Sequence, residues 1–190
     1  MYKENSFLNK HADLNISSSI KKYIDDSTII ACIGTDKCIG DCLGPLVGSI
    51  LKERNFPLLV FGSLNDPIHA LNIEDKLSEI NKLYKNRTII GIDACLGEPE
   101  DIGKIVVRNT PIFPGKGIGR DLPSIGNISI VGIVHNCNDS QALSARNIRL
   151  NFIMDMAKKI ASSLELAINL EWKHININIS LLFVILLTLK

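Results

Sequence analysis

Between Thr28 and Asp93 the chain alternates short β-rich apolar runs with amphipathic stretches, and that alternation decides the fold class. Thr28 to Ile33 is a buried-strand run stopped by Gly34. Leu43, Leu46, Val47, Ile50 and Leu51 then recur as one stripe of a helix. Leu58 to Phe61 is a second strand closed by Gly62, and Asn72 reads as the N-cap of a helix turning Ile73, Leu77, Ile80 and Tyr84 inward. Thr88 to Ile92 is a third strand that runs into Asp93. Strand, helix, strand, helix, strand predicts right-handed βαβ units and a parallel sheet covered on both faces.

Two more strands are expected at 104–107 and 128–134, separated by a Gly/Pro loop from Pro111 to Arg120. A long helix is expected from about Asp139, with Ile148, Phe152, Met156, Ile160 and Leu164 four apart. The prediction is a three-layer αβα fold with a mainly parallel central sheet, in a single domain over residues 27–170. Residues 1–26 read as a polar segment with a short surface helix. Residues 171–190 form an apolar tail in which Ile175, Ile177 and Ile179 alternate with polar residues before the uninterrupted run from Leu181 to Leu187. As a helix the tail's 15 or so apolar-rich residues would reach about 22 Å against a bilayer core of roughly 30 Å, which favours packing in the core over membrane contact.

Charge excludes one large class of partner. Lys and Arg number 21 against 20 Asp and Glu, and no basic block exceeds Lys21-Lys22, so a nucleic-acid partner is not expected. The five cysteines, Cys32, Cys38, Cys42, Cys95 and Cys137, are odd in number and include no C-x2-C pair. With no apolar leader in the first ten residues, reduced thiols in the cytoplasm are the expectation.

Ligands gather at the carboxyl ends of strands in parallel sheets, so the chemistry is sought there. After the first strand, glycines fall at 34, 40 and 44 with Asp41 following Gly40, which is neither a Walker loop nor a dinucleotide fingerprint. Asp41 opens a helix, where the dipole favours an anion by about 0.3–1 kcal/mol. Asp93 leaves the third strand, where desolvating a carboxylate is costly without a partner or a task. The two could share one crevice and divide into a protonated acid and an ionised base. Simple capping of backbone by each is the plainer alternative. The same acids could hold a divalent metal with His135, which ends the last strand; His69 follows the second strand and could border the cleft. His11 and His174 lie outside the pattern. Cys95 as a nucleophile, or zinc held by Cys38 and Cys42, are rival uses of the strand ends.

Four stretches carry a resemblance to a known family: Gly34-Thr-Asp with Asp41-x-Leu-Gly-Pro45, Phe61-Gly-Ser-Leu with Pro67-Ile-His69, Ile92-Asp93-Ala-Cys-Leu-Gly97, and Pro114-Gly-Lys-Gly-Ile-Gly119. Together they resemble the YyaC family of sporulation proteins, which is similar to the spore germination protease and, more distantly, to the hydrogenase maturation peptidases. The resemblance implies a phosphorylase/hydrolase-like α/β fold with essential aspartates matching Asp41 and Asp93. The resemblance gives no substrate; the expectation is a peptidase acting on a protein or peptide in the forespore or spore core, with His69, Gly115 and Gly117 bordering the substrate. The stretch after the last strand, His135-Asn-Cys-Asn-Asp139, departs from the family's glycine-rich pattern. A metal- or peptide-binding spore protein without hydrolytic activity is the alternative, and a homo-oligomer remains open.

Overall fold

A computed structural model describes the backbone of residues 3–9, 11–115, 122–138 and 148–188, and the side chains of these except 3–5 and 171–188. Six strands form one sheet: β1 (Lys3–Ser6), β2 (Ile29–Cys32), β3 (Leu59–Phe61), β4 (Ile89–Gly97), β5 (Lys104–Arg108) and β6 (Ile128–Asn136). Four helices accompany them: α1 (Ala12–Ile20), α2 (Leu43–Glu53), α3 (Ile73–Leu83) and α4 (Leu150–Thr188). The strand order is β1-β5-β6-β4-β2-β3, with β3, β2, β4 and β6 mutually parallel and β5 antiparallel to both β6 and β1. The expected α/β architecture is therefore present, with a mostly parallel sheet between helices.

Alternation along the strands sorts two cores. Ile30, Cys32, Ile90, Ile92, Ile128 and Ile130 face α1, α2 and α4, joining Ile16, Ile20, Leu43, Leu51, Met156 and Ile160 in the larger one. Ile29, Ala31, Ile33 and Ile89 face α3 through Ile73, Leu77 and Ile80. A smaller cluster of Val106, Val131 and Ile133 packs with Cys95.

The N-terminal segment differs from the expected surface helix. Lys3–Ser6 pairs with β5 as a sixth strand, and α1 buries Ala12, Ile16 and Ile20 completely. The segment reads as polar because serines occupy the inner face. Ser17 donates its hydroxyl to the Leu14 carbonyl at 3.0 Å and Ser19 to that of Asn15 at 2.7 Å, so the helix itself satisfies them. The long helix is described from Leu150, with Ile148 buried ahead of it; its expected beginning near Asp139 falls on residues 139–147, which lie outside the described ones. Its backbone stays helical through Thr188, so the tail takes the helical form, while the packing of its side chains lies outside the described residues. Among the described residues no helix is long and apolar enough to cross a membrane.

Candidate active site

Strand order creates one special place. From β2 the chain passes to β3 on one side, then returns as β4 on the other side of β2. The crevice beyond the carboxyl ends of β2 and β4 is the topological switch point, the usual ligand position in such sheets. Asp41 and Asp93 both belong to it.

Asp93 lies within β4 rather than beyond it. Pairing with β6 continues past the expected strand end, Asp93 opposite Val131 and Gly97 opposite Asn136. On the other flank β2 ends at Cys32, paired with Ile92, so Asp93 stands where β4 loses its β2 neighbour. Its Oδ1 accepts the Ala94 amide hydrogen at 2.8 Å. Burial, and then the negative charge of Asp41, hold its carboxyl well above the usual carboxylate range; the Ala94 bond only partly offsets them.

Asp41 comes from the loop between β2 and α2, in a 3-10 turn (Gly40–Cys42) that runs directly into α2. The loop folds back on itself: the Thr35 amide donates to the Asp41 carbonyl at 3.1 Å, and the Asp41 amide to that of Cys38 at 3.1 Å. Only glycine fits at position 34, where φ is +133° and a Cβ would lie 2.0 Å from the Asp41 carbonyl oxygen. Burial raises the Asp41 carboxyl to about 6, against the pull of the Thr35 backbone and of the positive charge available on His69. Asp93 thus feels the charge of Asp41, and Asp41 that of His69.

His69 is held by Asn72. The Asn72 Oδ1 accepts the His69 amide hydrogen at 2.8 Å, and its Nδ2 donates to the Pro67 carbonyl at 3.0 Å. Asn72 occupies the N-cap position of α3, as expected from sequence, but its side chain makes no cap bond to that helix. The Leu71 amide donates to His69 Nδ1 at 3.3 Å, which leaves Nε2 as the nitrogen that carries hydrogen in the neutral ring. This clamp was not foreseen; the three-residue spacing of His69 and Asn72 is its only trace in the sequence.

The remaining candidates fall elsewhere. His135 is opposite Leu96, beyond a register shift in β4, about 10 Å along the strand from Asp93. Among the described residues no three His, Cys, Asp or Glu side chains are arranged to hold a metal ion. Metal binding at Asp41 and Asp93 would therefore draw its further ligands from outside that set. Gly115 sits in a turn after Pro114 with φ +81°, while Gly117 lies outside the described residues. The cysteines are free thiols. Burial pushes Cys32 up to about 12 and Cys42 and Cys95 up to about 11, which disfavours the thiolate a nucleophile needs.

An α/β domain with two desolvated acids at its switch point, one raised further by the charge of the other, is the class that fold and site define. Over residues 1–163 the chain matches the family described as a protein of unknown function, DUF1256, and it belongs to that family. It is 40% identical over 164 residues to the uncharacterized protein YyaC of Bacillus subtilis strain 168, covering 86% of this chain and 80% of that protein. The resemblance read from the four motifs is thereby established. Among solved structures the chain is similar to the NiFe hydrogenase maturation protease HycI of Thermococcus kodakarensis, with 20% identity, a TM-score of 0.46, and coverage of 77% of this chain and 98% of the other.

Proposed function

We propose that this protein is a peptidase that hydrolyses an amide bond with Asp41 and Asp93. The observation that carries the reading is their division by environment. Asp41, beside His69 and just ahead of α2, is mostly ionised at neutral pH, whereas desolvation and the charge of Asp41 bias the half-buried Asp93 towards its protonated form. Asp41 is then the general base that takes a proton from water as the hydroxyl adds to the carbonyl carbon. Asp93 is the general acid that hydrogen-bonds the carbonyl oxygen and gives its proton to the leaving nitrogen as the C–N bond breaks. One turnover leaves the proton on Asp41 and missing from Asp93, and transfer between the neighbouring groups restores the starting state. His69 holds the Asp41 charge in place. The family resemblance supports a role inside the cell, in sporulation or germination, on a protein substrate.

The test compares protein N-termini by mass spectrometry in cells holding equal amounts of wild-type and Asp93→Asn protein. Termini found only with the wild type establish cleavage and identify the substrate. Identical termini, with Asp41→Asn also silent, remove the reading.

A further inference from the structure

Exposed large apolar side chains are unevenly placed. Ten are exposed among the described residues, and six of them, Leu8, Ile39, Leu64, Leu71, Ile102 and Leu150, lie on segments at the edge where the parallel strands end. Ile39 precedes Asp41 by two residues and Leu71 follows His69 by two, and the loops that carry them are joined where the Gly34 amide donates to the Ile68 carbonyl at 2.8 Å. Across the sheet, Leu8, Ile102 and Leu150 stand within two residues in sequence of Phe7, Gly103 and Phe152, where the two rings meet against Gly103. The acids stand between the two groups.

Resting on the peptidase reading, we infer that this edge is the docking surface for the substrate, an extended polypeptide segment with apolar side chains on both sides of the scissile bond. The edge spans six strands from β3 to β1, about 24 Å at the usual strand spacing, which about seven extended residues cover. Exposed apolar side chains on either side of the acids give such a segment an anchor at each end. Charge narrows the occupant further. Glu98 and Glu100 are exposed directly after β4, between the anchors, so an acidic segment or a nucleic-acid phosphate would be repelled there. The surface is continuous with the carboxyl pair, and this commits it to the chain being cut.

The test uses the full chain carrying Asp93→Asn, which should hold peptides uncut, and three blocked fluorescein-labelled decapeptides. Leu, Ile and Phe flank the centre of the first, Ser and Asn that of the second, and Glu that of the third. Fluorescence anisotropy should show the apolar peptide bound at least tenfold more tightly than either other. Leu71→Ser and Leu150→Ser should each weaken it several-fold, while Leu83→Ser, at the far end of α3, should not. Equal affinity for the three peptides, or insensitivity to Leu71→Ser and Leu150→Ser, overturns the inference. So does a dimer that excludes peptide and is dissolved by Leu150→Ser, since a second copy would then cover the edge. Wild-type protein with the same peptides separates the two claims. Selective binding without cleavage keeps the docking surface and removes the peptidase reading; cleavage without apolar preference does the reverse.

Discussion

The larger core and the crevice are built on the same strands by opposite rules. On β2 and β4, Ile30, Cys32, Ile90 and Ile92 are buried among apolar neighbours. One residue further along β4, Asp93 is placed where burial and a like charge both oppose its ionisation. The core gains free energy from every atom it removes from water, at roughly 25 cal/mol per Å² of apolar surface. The crevice holds groups that would be easier to place in solvent. Such an arrangement is retained in a fold for what it does rather than for how much it stabilises.

The sharpest way to break this contrast is to neutralise the acids. Asp93→Asn should abolish cleavage, a loss of at least about a thousandfold, yet leave unfolding free energy within about 1 kcal/mol. Asparagine keeps an acceptor for the Ala94 amide and replaces a carboxyl whose ionisation its surroundings oppose. Paired denaturant melts and cleavage assays measure both quantities. A large loss of stability would make Asp93 a structural residue like its core neighbours.

The opposite substitution belongs in the core. Ile160→Ala, at a fully buried site, should lower stability by about 2–5 kcal/mol and leave the pH dependence of any remaining activity unchanged. If the pH profile moves with it, core and crevice are coupled and the comparison fails.

Titration gives a third, smaller effect. Below pH 3.8, the ordinary value for Asp41, its carboxyl is protonated in folded and unfolded chain alike. As pH rises towards about 6 the unfolded chain releases the proton first, so the folded state loses up to about 3 kcal/mol across that window. Asp93, also raised, acts with the same sign from the same ordinary value upward. Urea titrations at pH 4, 5, 6 and 7 should show the decline in wild type and a flatter profile in Asp41→Asn. A wild type that gains stability from pH 4 to 6, with Asp41→Asn flatter, would mean that Asp41 is held below its ordinary value.

The same contrast explains what the sequence made legible. Strands β2 to β6 and helices α2 and α3 announced themselves because apolar runs and stripes are what a core requires, and the two acids stood out as charges where those runs end. The burial of α1 was hidden because Ser17 and Ser19 satisfy themselves within their own helix, leaving no apolar signal on half of its inner face. Strand β1 is four residues at a sheet edge, too short and polar to show a period. The separation of His135 from Asp93 depends on a register shift between Cys95 and Leu96, and the role of Asn72 on a loop geometry. Neither leaves a periodic trace, since pairing register and side-chain direction in loops are set by tertiary contacts.

The smallest predicted effect tests how finely the crevice is tuned. His69 lowers the Asp41 carboxyl against the larger push of burial, so His69→Gln should move the acid limb of the rate profile upward, by less than about one pH unit. Asn72→Ala should give part of the same upward shift, because it leaves the imidazole present but releases the clamp on its backbone. A merely structural histidine would change the amount of folded protein or the overall rate without displacing that limb. The profile of kcat/KM against pH therefore separates the two roles. A limb that stays in place in both variants would detach His69 from the acid pair and leave the Thr35 backbone as the group that opposes burial at Asp41.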